Sequence, residues 1–242
     1  MTTSRRYLVT GGTSGIGEMC ARHLTAEGHR VWVTGTREHS VSGALERSAA
    51  AGGSVADAAD TAATNRAFDD AVDAFGGLDG VFLNAGIDGE AKPAEQLDPD
   101  TFRRVLDVNV VGILNGAQAA HRTVSRPGAI VVNASVNAMR PEAHFADYNA
   151  SKAAAAALAG TLAMEWSGDG LTVTCVCPGY FRTNMTAQYL DDPEVSAELL
   201  ARVPAGRFGE ATDIATTVAF LLSNQAPFLT GAVIPIAGAA NL

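Results

Sequence analysis

The chain has little with which to cross-link itself: three cysteines, Cys20, Cys175 and Cys177, in 242 residues. An odd number leaves no disulfide framework, and "CVC" on a strand is expected to turn its two thiols to opposite faces. The five histidines (His23, His29, His39, His121, His144) fall at no ligand spacing, so no metal site is expected. Positive charge is scarce and dispersed. Seventeen basic against 26 acidic side chains give a formal charge of −9, and no basic run exceeds the Arg5-Arg6 pair, which argues against nucleic acid and anionic membrane as partners. Long apolar runs are missing too. The alanine-rich stretch from Ala153 to Met164 is shorter and less apolar than the roughly 20 residues a bilayer requires. The N-terminal "MTTSRRYLVTGG" holds neither an apolar h-region nor a cleavage site, so a cytoplasmic protein is expected.

What is present suits a folded α/β protein. Hydrophobic residues make up 47% and charged residues 18%, a globular rather than a disordered balance, and the length suits one domain over residues 1–242. Short β-branched runs alternate with alanine-rich amphipathic stretches: "RYLVT", then 15 to 27; "HRVWVT", then 38 to 51; "GSVAD", then 61 to 75; "LDGVFLN", then about 98 to 125. The pattern continues through "GAIVVNAS", 146 to 167, "LTVTCVCPG", two helical pieces between about 193 and 223, and "GAVIPI". This βαβ alternation predicts a parallel sheet with helices on both faces. The regularity loosens only at about 179 to 204, which reads as a substrate loop with short helices.

"LVTGGTSGIGEMCARHL" runs from a strand through Gly11, Gly12, Gly15 and Gly17 into a helix. Such a turn brings backbone N–H groups and the positive end of a helix dipole onto a phosphate. Ile16 belongs to the inward face of that helix; Thr13 and Ser14 offer hydroxyls to the phosphate, and Ser14 could instead cap the helix. About 20 residues further on, dinucleotide folds place the group that reads the adenosine ribose. Here "VTGTRE" presents Gly35, Thr36 and Arg37 in place of an acid. A guanidinium suits a 2′-phosphate, so NADP(H) is favoured and NAD(H) remains possible.

With these pieces in order, the chain resembles the short-chain dehydrogenase/reductase family in its compact single-domain branch. The resemblance rests on "TGGTSGIG" (10–17), "VAD" ending at Asp57, "NAG" (84–86), "VNVVG" around Asn109, "NAS" ending at Ser135, "YNASK" (148–152) and "PGYFRT" (178–183). It implies a doubly wound (Rossmann) seven-stranded sheet in the order 3-2-1-4-5-6-7, with the cofactor across the carboxyl ends of the strands. It also implies cofactor contacts. Asp57 would accept from the adenine amino group, unless it is only a turn residue. Asn84, Ala85 and Gly86 would line the adenosine ribose, and Pro178, Gly179, Phe181 and Thr183 the nicotinamide and its phosphate.

Tyr148 and Lys152 are the chemical centre of the resemblance. Reduction of a ketone builds an alkoxide, so the site must supply a proton and stabilise negative charge. The i, i+4 spacing puts phenol and ammonium on one helix face. At about 4 Å and an effective dielectric near 20 their attraction is about 4 kcal/mol, enough to draw a tyrosine from near 10 toward about 7. Tyr148 is therefore expected to be the general acid in reduction, with Lys152 tuning it and, by resemblance, holding the nicotinamide ribose. Ser135 would donate to the substrate oxygen, and Asn109 would anchor a water that relays protons from Lys152. The implied activity interconverts a ketone and a secondary alcohol.

The substrate is expected to meet Ser135, Asn137, His144, Tyr148 and Met185, with Arg140 and Arg182 hinting at an anionic group. A 3-oxoacyl-carrier-protein reductase is the rival within the class, though an acidic carrier suits this acidic surface poorly. A cofactor-sensing, non-catalytic relative would be expected to lack the tyrosine or the lysine, and both are present. The tail "GAVIPIAGAANL" has Ala237 and Ala239 where relatives carry an acid and a glycine. Relatives commonly form tetramers, so a homotetramer, or a homodimer, is expected.

Overall fold

The computed structural model describes residues 4–48 and 50–242; position 49, inside the helix expected over 38 to 51, and the first three residues lie outside them. The first half alternates β1 (Arg6–Val9), α1 (Gly15–Ala26), β2 (Arg30–Gly35), α2 (Glu38–Ser48), β3 (Gly52–Val55), α3 (Thr61–Phe75) and β4 (Leu78–Leu83). There follow α4 (Pro99–Leu106), α5 (Gly112–Thr123), β5 (Val124–Asn133), α6 (Ala146–Trp166) and β6 (Leu171–Pro178). The chain ends through α7 (Ala187–Leu190), α8 (Pro193–Ala201), α9 (Ala211–Leu222) and β7 (Val233–Ile236). The strands form one parallel sheet in the order β3-β2-β1-β4-β5-β6-β7, as the resemblance implies.

Period-2 alternation divides the strand side chains between two cores, one on each face of the sheet. Leu8, Val81, Leu83, Ile130, Val132 and Val173 pack on one side with Phe68 and Ala71 of α3, Ile113 and Ala117 of α5 and Ala155 and Ala159 of α6. Tyr7, Val9, Val33, Phe82, Val131 and Val176 face the other side, against Ala21 and Leu24 of α1 and Ile214, Val218 and Leu222 of α9. This arrangement corrects the expectation for "CVC". Cys175 and Cys177 share the first core while Val176 lies in the second, because residues two apart on a strand point the same way. All three cysteines are buried free thiols.

The helix expected over about 98 to 125 is divided. Asp98 caps α4, accepting from Asp100 N and Thr101 N, and a π turn over Asp107–Val111 separates α4 from α5. Such turns widen a helix locally and recur at functional sites. Here the turn carries Asn109, which is fully buried. β5 also starts earlier than the run "GAIVVN", at Val124, whose side chain is buried in the first core.

Arg140 belongs to the tail rather than to an anionic substrate, since its Nη1 donates to the carbonyls of Ala240 (3.0 Å) and Leu242 (2.8 Å). Ala239 beside them has a φ of 70°, a left-handed conformation that disfavours any residue with a Cβ. Its side chain is exposed, so removing it forfeits little packing. Ala239→Gly is therefore expected to stabilise the fold by about 1 kcal/mol, raising Tm by about 2–4 °C in a thermal melt. An unchanged or lower Tm would count against strain at this position.

Candidate active site

The carboxyl ends of β1, β4, β5 and β6 open into one cleft. Gly11, Thr13, Ser14, Gly15, Ile16, Thr36, Asp57, Asn84, Ala85 and Gly86 line one stretch of it, and Ser135, Tyr148, Lys152, Pro178, Gly179, Phe181, Thr183 and Met185 line the rest. Five of the expected site residues do not line it: Gly17, Arg37, Asn109, Asn137 and His144.

At the glycine turn the chain leaves β1 with Gly11 at a φ of 62°, where a Cβ would stand 2.9 Å from Ala85 Cα. Backbone of β1 and β4 thus approaches too closely for any side chain. Ser14 occupies the N-cap position of α1, but its hydroxyl makes no capping bond, which leaves it free to face the cleft. A Cβ on Gly35 would lie 2.5 Å from Thr13 Cγ2, so the acid that reads a 2′-hydroxyl in other dinucleotide folds has no room here. Arg37 is exposed just before α2. A second cation joins this corner unannounced by any local spacing: Arg47 of α2 donates from Nη2 to Thr13 O (3.2 Å) and from Nε to Glu18 Oε1 (2.8 Å).

Asp57 is more than a turn residue. Its Oδ1 accepts from Ala59 N (3.0 Å), while its Oδ2 pairs with Arg104 Nη2 at 2.6 Å. Burial alone would raise this carboxyl, yet the bonds from Arg104 and Ala59 hold it below the usual carboxylate value. Arg104 itself lines the cleft. No sequence periodicity could have revealed it, because its partner is 47 positions away.

A continuous hydrogen-bond chain runs beneath the cleft. Lys152 Nζ donates to Asn133 O (3.0 Å), Asn133 Nδ2 to Asn84 Oδ1 (2.9 Å), and Asn84 Nδ2 to the carbonyls of Thr10 (3.0 Å) and Gly11 (3.2 Å). The Asn84 side chain therefore staples the glycine turn to β4 and β5. Asn133 Oδ1 is buried with no partner among the described residues. A buried acceptor without a donor is costly, and this one, in a residue lining the cleft beside Lys152, suits a hydroxyl-bearing ligand such as a dinucleotide.

Ser135 stands at the end of β5, its Oγ accepting from Asn137 N (3.2 Å) and facing Asn137 Oδ1 (3.4 Å). Asn137 Nδ2 donates in turn to Asn149 Oδ1 (2.9 Å). Asn137 thus braces Ser135 and does not itself line the cleft. Asn109 is likewise engaged: Nδ2 donates to Ile87 O (2.9 Å) and Ser151 Oγ (3.0 Å), and Oδ1 accepts from Ile87 N (2.8 Å). Both amide hydrogens are thereby used. The side chain ties the loop after β4 to α6. His144 is exposed at a φ of 68°, and Arg182 is paired with Asp191 rather than aimed at a substrate.

Tyr148 and Lys152 face each other along α6, with Nζ 5.5 Å from the phenol ring centroid. Burial pushes the phenol above its ordinary value, the charge of Asp88 adds to that, and Ser135 pulls the other way. Burial also pushes the Lys152 ammonium down to about 8. The attraction expected from the i, i+4 spacing therefore does not govern the free protein. A buried phenolate is penalised by loss of water, and the lysine meets the same penalty for its own charge.

A family model described as enoyl-(acyl carrier protein) reductase matches residues 11–239. The chain is 35% identical to 3beta-hydroxysteroid dehydrogenase 1 of Eggerthella lenta, over 98% of this chain and 94% of that protein. It superposes with a TM-score of 0.89 and 35% identity on a short chain dehydrogenase from Burkholderia cenocepacia in complex with NADP, covering 98% of each chain. It also superposes with a TM-score of 0.91 and 26% identity on a 3-ketoacyl-(acyl-carrier-protein) reductase from Brucella melitensis complexed with NADH, again over 98% of each.

Proposed function

The chain belongs to the short-chain dehydrogenase/reductase family and is an NAD(P)-dependent oxidoreductase, and from that premise we propose that it interconverts a ketone and a secondary alcohol, with Tyr148 as general acid and base and NADP(H) as the preferred cofactor. The observation that carries this reading is the convergence of Ser135, Tyr148 and Lys152 on one cleft whose other stretch is the glycine turn.

The cofactor supplies or accepts the hydride when bound. Gly11 to Ile16 and the N-terminus of α1 would hold its phosphates, Asp57 the adenine, Asn133 Oδ1 and Lys152 the hydroxyls near the nicotinamide, and Pro178 to Thr183 the ring. The chemical work of the protein lies at one oxygen. Ser135 Oγ donates a hydrogen bond to the substrate oxygen, and Tyr148 Oη delivers its proton there as negative charge builds. Lys152 stabilises the phenolate left behind. Lys152 is buried and Tyr148 partly so, which makes each electrostatic contact stronger than it would be in bulk solution.

Two features support NADP(H) over NAD(H): the exposed Arg37 and the lack of space for an acid at position 35. Titration followed by nicotinamide fluorescence is expected to show tighter NADPH than NADH binding. Arg37→Ala should weaken NADPH roughly tenfold, the scale of one charge-assisted contact, and leave NADH within about twofold. NADH bound as tightly as NADPH by the wild-type protein would refute the preference. Oxidation of NADPH with a panel of neutral ketones tests the reaction itself. A carrier-linked 3-oxoacyl substrate is the second reading, favoured by the likeness to the Brucella reductase and opposed by the formal charge of −9.

No helix among the described residues is long and apolar enough to cross a membrane. The exposed Val111 and Leu114 near α5, Met164 on α6, and Phe228 and Val233 at β7 support assembly into a homotetramer.

A further inference from the structure

The loop that follows β4 holds a carboxylate with no part in the reaction described above. Asp88 Oδ1 accepts from Gly89 N (2.9 Å) and Oδ2 from the Tyr189 hydroxyl of α7 (3.2 Å). The backbone on either side is clamped. Ile87, which lines the cleft, is held at both N and O by Asn109. Glu90 N donates to Asp147 Oδ2 (3.0 Å), whose other oxygen accepts from the backbone N of Tyr148 itself (2.8 Å). Tyr189 meets Phe145 edge to face at 6.1 Å, so the α7 segment, the loop after β4 and the start of α6 are in mutual contact. Met185 and Thr186, just before α7, line the cleft below.

We propose that Asp88 is a specificity-determining residue, its negative charge beside the cleft rejecting ketones that carry an anionic group and admitting neutral or cationic ones. The inference rests on the ketone-reducing site proposed above and names the class of substrate it takes. Asp88 directly follows Ile87, which lines the cleft, and its partner Tyr189 lies four positions after Met185, which lines it as well. Asp88 is half-buried and forms only hydrogen bonds to neutral donors among the described residues. Its field is therefore not cancelled by a contacting cation. Two like charges several ångströms apart at an effective dielectric near 20 repel enough to change affinity roughly tenfold.

The test uses 4-acetylbenzoate and its methyl ester, an anionic and a neutral ketone of one shape. Their affinities for the complex of the full chain with NADP⁺, which cannot reduce them, are measured by saturation-transfer NMR or calorimetry. The wild-type complex is expected to bind the ester at least about tenfold more tightly. Asp88→Asn keeps both acceptor roles and removes the charge, and should bring the two ligands within about threefold, chiefly by tightening 4-acetylbenzoate. Tyr189→Phe removes the hydrogen bond and keeps the charge, so the preference should persist. An unchanged ratio in Asp88→Asn, or its collapse in Tyr189→Phe, overturns the inference. Absence of NADPH-dependent reduction with the binding preference intact would instead sink the proposed reaction and leave the charge rule standing.

Discussion

Tyr148→Phe is expected to lower kcat for ketone reduction by about a thousandfold, within the 10²- to 10⁴-fold range of positioned proton transfer, while NADPH affinity stays within about twofold. The substitution is clean. The phenol packs on α6 at the cleft and contributes a ring as well as a hydroxyl, and phenylalanine preserves the ring. Ser135 would remain to polarise the carbonyl, so residual turnover should reflect that hydrogen bond alone. Steady-state kinetics together with fluorescence titration separate the two effects. Turnover within tenfold of wild type would mean that another group delivers the proton.

Lys152→Met should make the protein less active and more stable at once. The chain has only two lysines, Lys92 and Lys152, and Lys152 is 4% exposed. Its ammonium falls from an ordinary 10.5 to about 8 on burial. A lysine depressed in this way costs stability wherever both states would be charged, here below about pH 8. Between about 8 and 10.5 the unfolded chain holds the proton that the folded chain has lost, so stability rises with pH. At about 1.36 kcal/mol for each pH unit, the cost at pH 7 is roughly 3 kcal/mol. Losing the bond to Asn133 O removes part of the benefit, which leaves an expected net gain of about 1–2 kcal/mol in chemical denaturation. That gain should vanish as the pH approaches 10.5, and a gain independent of pH would rule out the ammonium as its source. Activity should fall by about 10²-fold or more with the loss of the cation.

The strands and most helices were legible because their signal is local. "RYLVT" and "LTVTCVCPG" alternate between two cores at period two, and residues 61 to 75 form α3 between the cap Asp60 and Gly76, whose φ of 75° ends the helix. The division at Asp107–Val111 was not legible, because the pull on Asn109 comes from Ile87 and Ser151, 22 and 42 positions away. The same distance in sequence concealed Arg104 behind Asp57, Asn133 behind Asn84, and Asp88 behind Tyr189. Motifs announced the types of group at the site. They could not show that Asn84, Asn109 and Asn137 spend their amides bracing neighbours, nor that burial outweighs the lysine in setting the phenol.

The chain of bonds from Lys152 through Asn133 and Asn84 to Gly11 spans separations of 19, 49 and 73 positions, and joins β1, β4, β5 and α6. Each of these contacts requires a long loop to close, at a cost in chain entropy. The lysine has its setting only when β1, β4, β5 and α6 are all in place, so catalytic competence is a property of the assembled middle of the sheet and of no single element.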